Sequence, residues 1–549
     1  MAGTWKPMDS SAGLVGPFWN VRRFGPGQAE GVVLGGWAFN GSFGGSATNV
    51  TPVRALALSQ DGAGLMHNNS TQLLGDPTTN GAGAVLVADF NGDGFDDLVL
   101  TAHNESPFIA KASVAWISTS SGTLVKQTLP DAVMNHDARV VTLGGAKKIL
   151  ARSFGGSGTG GNGPGFNVLY SWRGSGFDVL NIGDYGGMSV TAGGFGGDGS
   201  DWIAIGDTTY ASGVPYSASN PMLNYVYKFT NNAVVAPALA LPAPYFNGKA
   251  QYAGFSSFWD PYSKTHTSRL WTTDLNQDGL PDILGGQEIW APGPGLQKAV
   301  FQLLINKGGA VFEDRTDALA PEFSQDANID YSARFVALDA SGIDTIFLSG
   351  TQLYNPLQDA AKQGQYIIVN DGTGRLYVAM HDEFKAMGPQ VVSYLQSQLP
   401  SGQNANQGLT PVYYAYRTAT GSINFVAMVS VYDPAANGQT FGLVNVPLGI
   451  NLATDFRRNL TVATRNGSRN IRTFAGNDTI HRALSDPDCK IDGGNGVNTV
   501  VYPGPRANWV ITRTGSQLTI RPTGGGGTDT LTRIQKAQFD DLVVDLSTI

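Results

Sequence analysis

Cysteine, charge and histidine are all scarce in this sequence. Cys489 is the only cysteine among 549 residues, so no intrachain disulfide can staple the fold. Charged residues make up 14% of the chain, against a usual ~25%. A net charge of -8 at this length is too small to keep the chain disordered by self-repulsion. A pI near 5.3 leaves no basic footprint for nucleic acid. Long apolar runs are missing too. The most apolar stretch, residues 234–244, is interrupted by Pro237, Pro242 and Pro244, and no segment approaches the ~20 residues of a membrane span. The opening residues, Met1 to Pro7, lack a basic patch followed by an apolar run, so no secretory leader is expected there. His67, His103, His136, His266, His381 and His481 are scattered, and HExxH, GxSxG and GxxxxGK[ST] do not occur. His136-Asp137 reads as a surface turn, and Cys489 as a buried or inert thiol in a loop.

Glycine, by contrast, is abundant: 72 of 549 residues, well above the usual ~7%. Short β-branched and aromatic runs bounded by Gly, Asn and Asp recur, which is the signature of strands and turns. One helix candidate stands out, residues 383–398, with Gly388-Pro389 expected to interrupt it. A loose repeat reads as apolar run, Asp/Gly-rich turn, apolar run. Its copies fall at 85–100, 140–151, 189–205, 269–284 and 334–348, with weaker ones at 19–36 and 412–430. A second strand pair follows each, as at 299–314 and 366–379. Two strand pairs make a four-stranded antiparallel unit. Asp89 and Asp274 are separated by three units of about 62 residues, and seven such units fill residues ~15–452. Helix-free repeats of this period predict an all-β, seven-bladed propeller, which protects its sheet edges by closing radially. A tandem of β-sandwiches is the competing arrangement. Residues 453–549 are richer in Gly, Asn, Thr and Asp and read as a separate, small β domain.

Two turns share one spacing: Asp89-x-Asn91-x-Asp93-Gly94-Phe95-x-Asp97 and Asp274-x-Asn276-x-Asp278-Gly279-Leu280-x-Asp282. Oxygen side chains at positions 1, 3, 5 and 9, with a backbone carbonyl at position 7, suit a hard cation such as Ca²⁺, which takes ~6–8 oxygens. Glycine at position 6 permits the tight turn. An EF-hand is excluded, because position 12 is Leu100 or Gly285 where that motif needs Glu, and strand-like runs flank both loops. Degraded copies keep Asp198 and Asp201 in one unit, and Asp339 and Asp344 in another. These are expected to be plain turns or weak cation sites.

The strand–DxNxDGxxD–strand units resemble the FG-GAP/VCBS repeats of integrin-α-type propellers, strongly in two units and loosely in five. The resemblance implies calcium in a blade hairpin, held by Asp89, Asn91, Asp93, Phe95 and Asp97 and by Asp274, Asn276, Asp278, Leu280 and Asp282. Residues 474–480 and 493–501 resemble the Gly-rich RTX nonapeptide, with Asp478 and Asn498 as further calcium candidates in at most a vestigial β-roll. The stretch that follows, to residue 549, resembles the tail of type I secreted bacterial proteins. That resemblance implies an uncleaved C-terminal export signal, an extracellular or cell-surface location, and folding coupled to calcium outside the cell.

Aromatic residues at 258–262 and 288–290 are candidates for stacking on sugars or anchoring a partner. The leading functional expectation is a calcium-stabilised extracellular propeller that adheres to or binds a ligand: a surface glycan, a matrix component or another copy of itself. A self-assembling surface or filament component is the first alternative. A secreted hydrolase or lyase acting on polysaccharide or ester is the second, because propellers host enzymes and fold alone does not decide function.

Overall fold

The computed structural model describes residues 6–7, 30–36, 38–39, 52–105, 109–153, 166–183, 187, 189–206, 224–242, 265–289, 298–321, 332–337, 343–349, 365–380, 382–407, 411–433, 438–464 and 468–549. Among the described residues, seven antiparallel sheets of three or more strands follow one another along the chain up to residue 450. Blade 2 is representative. Its strands Ala84–Ala88, Asp97–Thr101, Val114–Ser118 and Leu124–Thr128 pair in sequence order, each antiparallel to the next. Blades 3 to 6 repeat that plan, opening with Asn135–Leu143, Ser189–Gly193, Thr265–Thr273 and Ser332–Ala337. The first strands of blades 2 to 5 lie side by side, the arrangement of strands around a common axis.

Both faces of the middle strands are covered, so they read as continuous apolar runs. Asp97–Thr101 and Val114–Ser118 are buried at every position. Alternate residues then serve different neighbours. Leu98, Leu100, Val114 and Trp116 pack against Val33, Ala55 and Ala57 of blade 1. Val99, Ala115 and Ile117 pack against Ile149, Val168 and Tyr170 of blade 3. Comparable cores join blades 3 and 4, 4 and 5, and 5 and 6. Blade 7 packs on blade 1 through Tyr414, Tyr416, Val426 and Met428 against Val32, Leu34 and Leu58, which closes the ring.

Strand pairing closes the ring as well. Blade 7 is built from Val412–Arg417, Ile423–Asp433 and Gly438–Ile450, and its outer strand comes from the other end of the chain. Lys6 pairs with Asn445 and Pro7 with Val444. The protein is an all-β, seven-bladed propeller, as the repeat predicts. In blade 1, Val32–Leu34 pairs with Leu56–Gln60, and residues 19–29 of the expected 19–36 hairpin lie outside the described residues. One detail differs from the sequence reading. The helix Asp382–Gln398 runs unbroken through Pro389. Its buried stripe, Phe384, Met387, Val391, Val392 and Leu395, follows the helical period and seals blade 7, while Pro389 faces solvent.

Residues beyond 452 wind into a flattened coil. Strands starting at 461, 470, 479, 489 and 499 alternate between two sheets, one half-turn per 9–10 residues. Thr461–Ala463, Thr479–His481, Thr499–Val501 and Lys536–Gln538 run parallel in one sheet. Asn470–Arg472, Cys489–Asp492 and Asp529–Thr532 run parallel in the other. Val462, Ile471, Ile480, Ile491 and Val500 fill the space between, and that core continues through Phe456 and Phe474 to Tyr377 of blade 6.

Candidate metal centre

Each carboxylate loop joins the first and second strands of its blade, in blade 2 and blade 5. Position 1 folds the loop. Asp89 Oδ1 accepts from the N–H groups of Gly92 (2.6 Å) and Asp93 (3.1 Å), and Oδ2 from Gly94 (2.9 Å). Asp274 does the same with Asp278 (3.1 Å) and Gly279 (2.9 Å). Gly94 and Gly279 both sit at φ 89°, the left-handed region that a side chain resists. Asp93 accepts from the Phe95 N–H (2.9 Å) and Asp278 from that of Leu280 (2.8 Å).

Position 9 is the first residue of the second strand, and it is buried in both loops. Asp97 accepts from the N–H groups of Phe90 (2.8 Å), Asn91 (3.3 Å) and Ser118 (2.7 Å), and lies 2.7 Å from the Ser118 hydroxyl. That hydroxyl also lies 3.0 Å from Asp93 Oδ1, and its single proton serves only one of the two acids. Asp282 accepts from Leu275 (2.8 Å) and Asn306 (2.8 Å), one bond per oxygen, and so keeps acceptor capacity that Asp97 largely spends on the protein.

Burial raises the Asp97 carboxyl above its ordinary range, against the pull of its Ser118 bonds. Burial, with the neighbouring Asp278 charge, pushes Asp274 up to about 6. Asp282 is pushed up to about 7, by burial first and then by the charges of Asp278 and Asp274. Three acids thus repel one another in a half-dry turn. Among the described residues no lysine, arginine or histidine forms an ion pair with them, and no group of three or more His, Cys, Asp or Glu converges into a ready metal cage. The donor chemistry fits a hard cation: Asp274, Asn276, Asp278 and Asp282 offer oxygens at short spacing, as do Asp89, Asn91 and Asp93. The Asn91 amide donates through Nδ2 to Asp93 (3.1 Å) and to the Ser118 carbonyl (2.7 Å), and the Asn276 amide to Asp278 (2.9 Å).

The degraded copies are spent on the fold. Asp198 is exposed, holds the Ser200 turn, and lies 3.6 Å from Lys228, which keep its carboxyl below the usual range. Asp201 reaches across to the Gly144 N–H of blade 3 (2.6 Å). Asp344 accepts from the Thr273 hydroxyl of blade 5 (2.6 Å). Asp339 lies outside the described residues. In the C-terminal coil, Asp478 and Asn498 occupy the same rung of successive turns, and the Asp478 N–H donates to Asn498 Oδ1 (3.0 Å). Asp478 Oδ1 takes the Leu460 N–H (2.7 Å), while Oδ2 is buried with no hydrogen-bond partner.

Sequence reasoning does not single out the asparagines that lock these loops between blades. Asn306 and Asn370 end the third strands of blades 5 and 6, each opening an Asn-x-Gly turn. Asn306 Nδ2 donates to the carbonyls of Phe195 and Pro281 (3.0 Å each), and Asn370 Nδ2 to Leu275 (2.7 Å). Phe195 and Leu275 are the position-2 residues of the loops one blade back, buried like Phe90. The signal was present as Asn306-Lys-Gly308 and Asn370-Asp-Gly372, but only the fold shows that they face a neighbour. His136-Asp137 is not a surface turn. It lies in the first strand of blade 3, where buried Asp137 pairs with Arg139 and, at 3.8 Å, Arg269. Cys489 is buried as expected, in a strand rather than a loop, and burial pushes its thiol up to about 12. The aromatic candidates at 258–262 lie outside the described residues, as does Trp290.

Residues 81–118, the stretch holding the first loop and its Ser118 partner, match the FG-GAP repeat. The chain is a seven-bladed β-propeller whose second blade matches the FG-GAP repeat. No curated protein sequence matches it. Solved structures similar in outline include the exotype rhamnogalacturonan lyase YesX, at 12% identity and TM-score 0.34, covering 80% of this chain and 75% of that one. The BBS1N domain in its complex with ARL6DN has 8% identity and TM-score 0.31, covering 82% and 100%. Trypanosoma rangeli sialidase has 9% identity and TM-score 0.30, covering 80% and 60%. No helix among the described residues is long and apolar enough to cross a membrane.

Proposed function

We propose that the protein is a calcium-stabilised binding propeller that works outside the cell, presenting its blade loops to a surface glycan, another extracellular ligand or a second copy of itself. The observation that carries the calcium reading is the pairing of the loops at 89–97 and 274–282. They share donors, spacing and turn bonds, and in the second the acids are lifted by burial first and then by mutual repulsion, which a divalent cation would offset. Asp274, Asn276, Asp278, the Leu280 carbonyl and Asp282 would hold the ion in blade 5; Asp89, Asn91, Asp93, the Phe95 carbonyl and Asp97 would hold it in blade 2. When bound, calcium would supply positive charge that ties the turn to the strand ends. The chain's own contribution is the skeleton of N–H bonds that presents the acids. Export through a C-terminal signal belongs to the same reading, supported by the Gly/Asn-rich turns of the terminal coil.

Calorimetric titration of the EDTA-treated protein with CaCl₂ is expected to show two sites and a raised melting temperature. Glycan-array binding is then expected to be lost on chelation. Absence of bound calcium by elemental analysis, with melting unaffected by EDTA, overturns the proposal.

A further inference from the structure

The two carboxylate loops are alike in their acids but not in their surroundings. Against the loop of blade 5 lies the beginning of the C-terminal coil. The Ser468 hydroxyl donates to the Asn276 carbonyl, the Arg469 N–H to the Gln277 carbonyl, and Asn470 Nδ2 to Gln277 Oε1, each at 3.2 Å. Gln277 passes the contact inward, donating through Nε2 to the Asp274 carbonyl (2.8 Å). Gln277 is also held at φ 56°, where blade 2 has Gly92 at φ 78°. A left-handed conformation strains a non-glycine residue, and the contacts from Arg469 and Asn470 help to hold Gln277 in it.

A second arm of the same contact reaches the loop by way of blade 6. Buried Arg472 donates its N–H to the Asp371 carbonyl (3.1 Å), Nε to the Asn370 carbonyl (3.2 Å) and Nη2 to the Thr345 hydroxyl (2.9 Å). Its guanidinium lies 4.8 Å from the Phe474 ring centre. Asn370 in turn holds the Leu275 carbonyl at 2.7 Å. The approach is close enough that a Cβ on Gly372 would stand 2.0 Å from the Asn470 carbonyl oxygen.

We propose that the C-terminal coil is a clamp on the 274–282 loop, so that docking of the coil and the binding of a divalent cation in that loop are coupled, while the 89–97 loop is set by its own blade. The cation half of this statement rests on the calcium reading above; the clamp half does not. Coupling of this kind is reciprocal, so a cation in blade 5 also favours the docked coil. The N-terminal propeller and the C-terminal coil then mature together, with the loop as the joint between them.

The test uses the full chain in three forms: wild type, Arg472→Ala, and the milder double variant Ser468→Ala with Asn470→Ala, which leaves Arg472 in place. Hydrogen exchange in EDTA is expected to accelerate about tenfold at the Asp278 and Gly279 amides in both variants and to stay unchanged at Asp93 and Gly94, as loss of one or two hydrogen bonds would give. Calcium titration is expected to show one of two sites weakened. Unchanged exchange at 274–282 in the folded variants overturns the clamp. If exchange responds but wild type binds no calcium, the clamp stands and the calcium reading falls. If Arg472→Ala does not fold, the double variant decides. A further variant, Gln277→Gly, is expected to reduce the dependence on docking by relieving the left-handed residue, and equal sensitivity in that background counts against the proposal.

Discussion

Asp282 shows how much one side chain can be asked to do. It begins a strand, ties down the Leu275 and Asn306 amides, and faces two other acids from a buried position. Its carboxyl and that of Asp274 stand at about 7 and about 6. Both are raised above the unfolded value near 3.8. The folded, metal-free protein therefore binds protons more tightly than the unfolded chain. Its stabilisation from these groups is fully present below pH ~4 and is lost as pH rises through ~6 and ~7. Calcium reverses the sign, because it needs the ionised acids. In EDTA the melting temperature is expected to fall between pH 5 and pH 8, and in excess calcium to hold or rise over the same window. Parallel curves in the two buffers contradict the assignment. A second residue-scale expectation concerns Asn306. Replacing it with alanine strands the Phe195 and Pro281 carbonyls in a buried seam, and is expected to cost ~2 kcal/mol in denaturant unfolding. A cost below ~0.5 kcal/mol would show that the seam is not structural.

At the scale of the element, the sequence is informative where one strand meets one turn. The Asp-x-Asn-x-Asp-Gly loops were legible because glycine and acid spacing are local properties. The helix shows the limit of such reasoning. Pro389 read as a break, because an isolated helix loses a hydrogen bond and meets a steric clash there. Packing outweighs that cost: Phe384, Met387, Val391, Val392 and Leu395 are all buried against blade 7, and the proline ring faces water. Pro389→Ala is therefore expected to raise the unfolding free energy by about 1–2 kcal/mol after allowing for the freer unfolded chain, and the melting temperature with it. A lower melting temperature would mean that Pro389 makes a contact that the helix needs. The pairing of Val32–Leu34 with Leu56–Gln60 was not legible for a complementary reason: the partner lies beyond the span over which a hairpin pattern can be recognised.

Across the whole molecule, the repeat period was enough to predict seven blades, because each blade must bury two apolar faces and only a ring supplies a neighbour for every one. Contacts between distant segments were not legible, since no local pattern encodes them. Examples are the Asn370 bond to the loop one blade back and the seat of Arg472 under blade 6. Ring closure is the clearest case. Removing residues 1–7 deletes the outer strand of blade 7 and exposes the edge of Gly438–Ile450. Limited proteolysis is expected to cut first in blade 7 of that truncated chain, and a digestion pattern identical to full length would show that the strand is dispensable.

That outer strand also sets a timetable. Lys6 waits for Asn445, so the ring cannot shut until blade 7 has been made. Closing so long a loop adds little to the free-energy cost, which grows only with the logarithm of its length, but it makes completion a late event. Until then blade 1 keeps one apolar face without its blade 7 neighbour. A nascent chain in this state is an open arc rather than a disc, and whatever shields that arc in the cell governs how much of the protein survives to become a propeller.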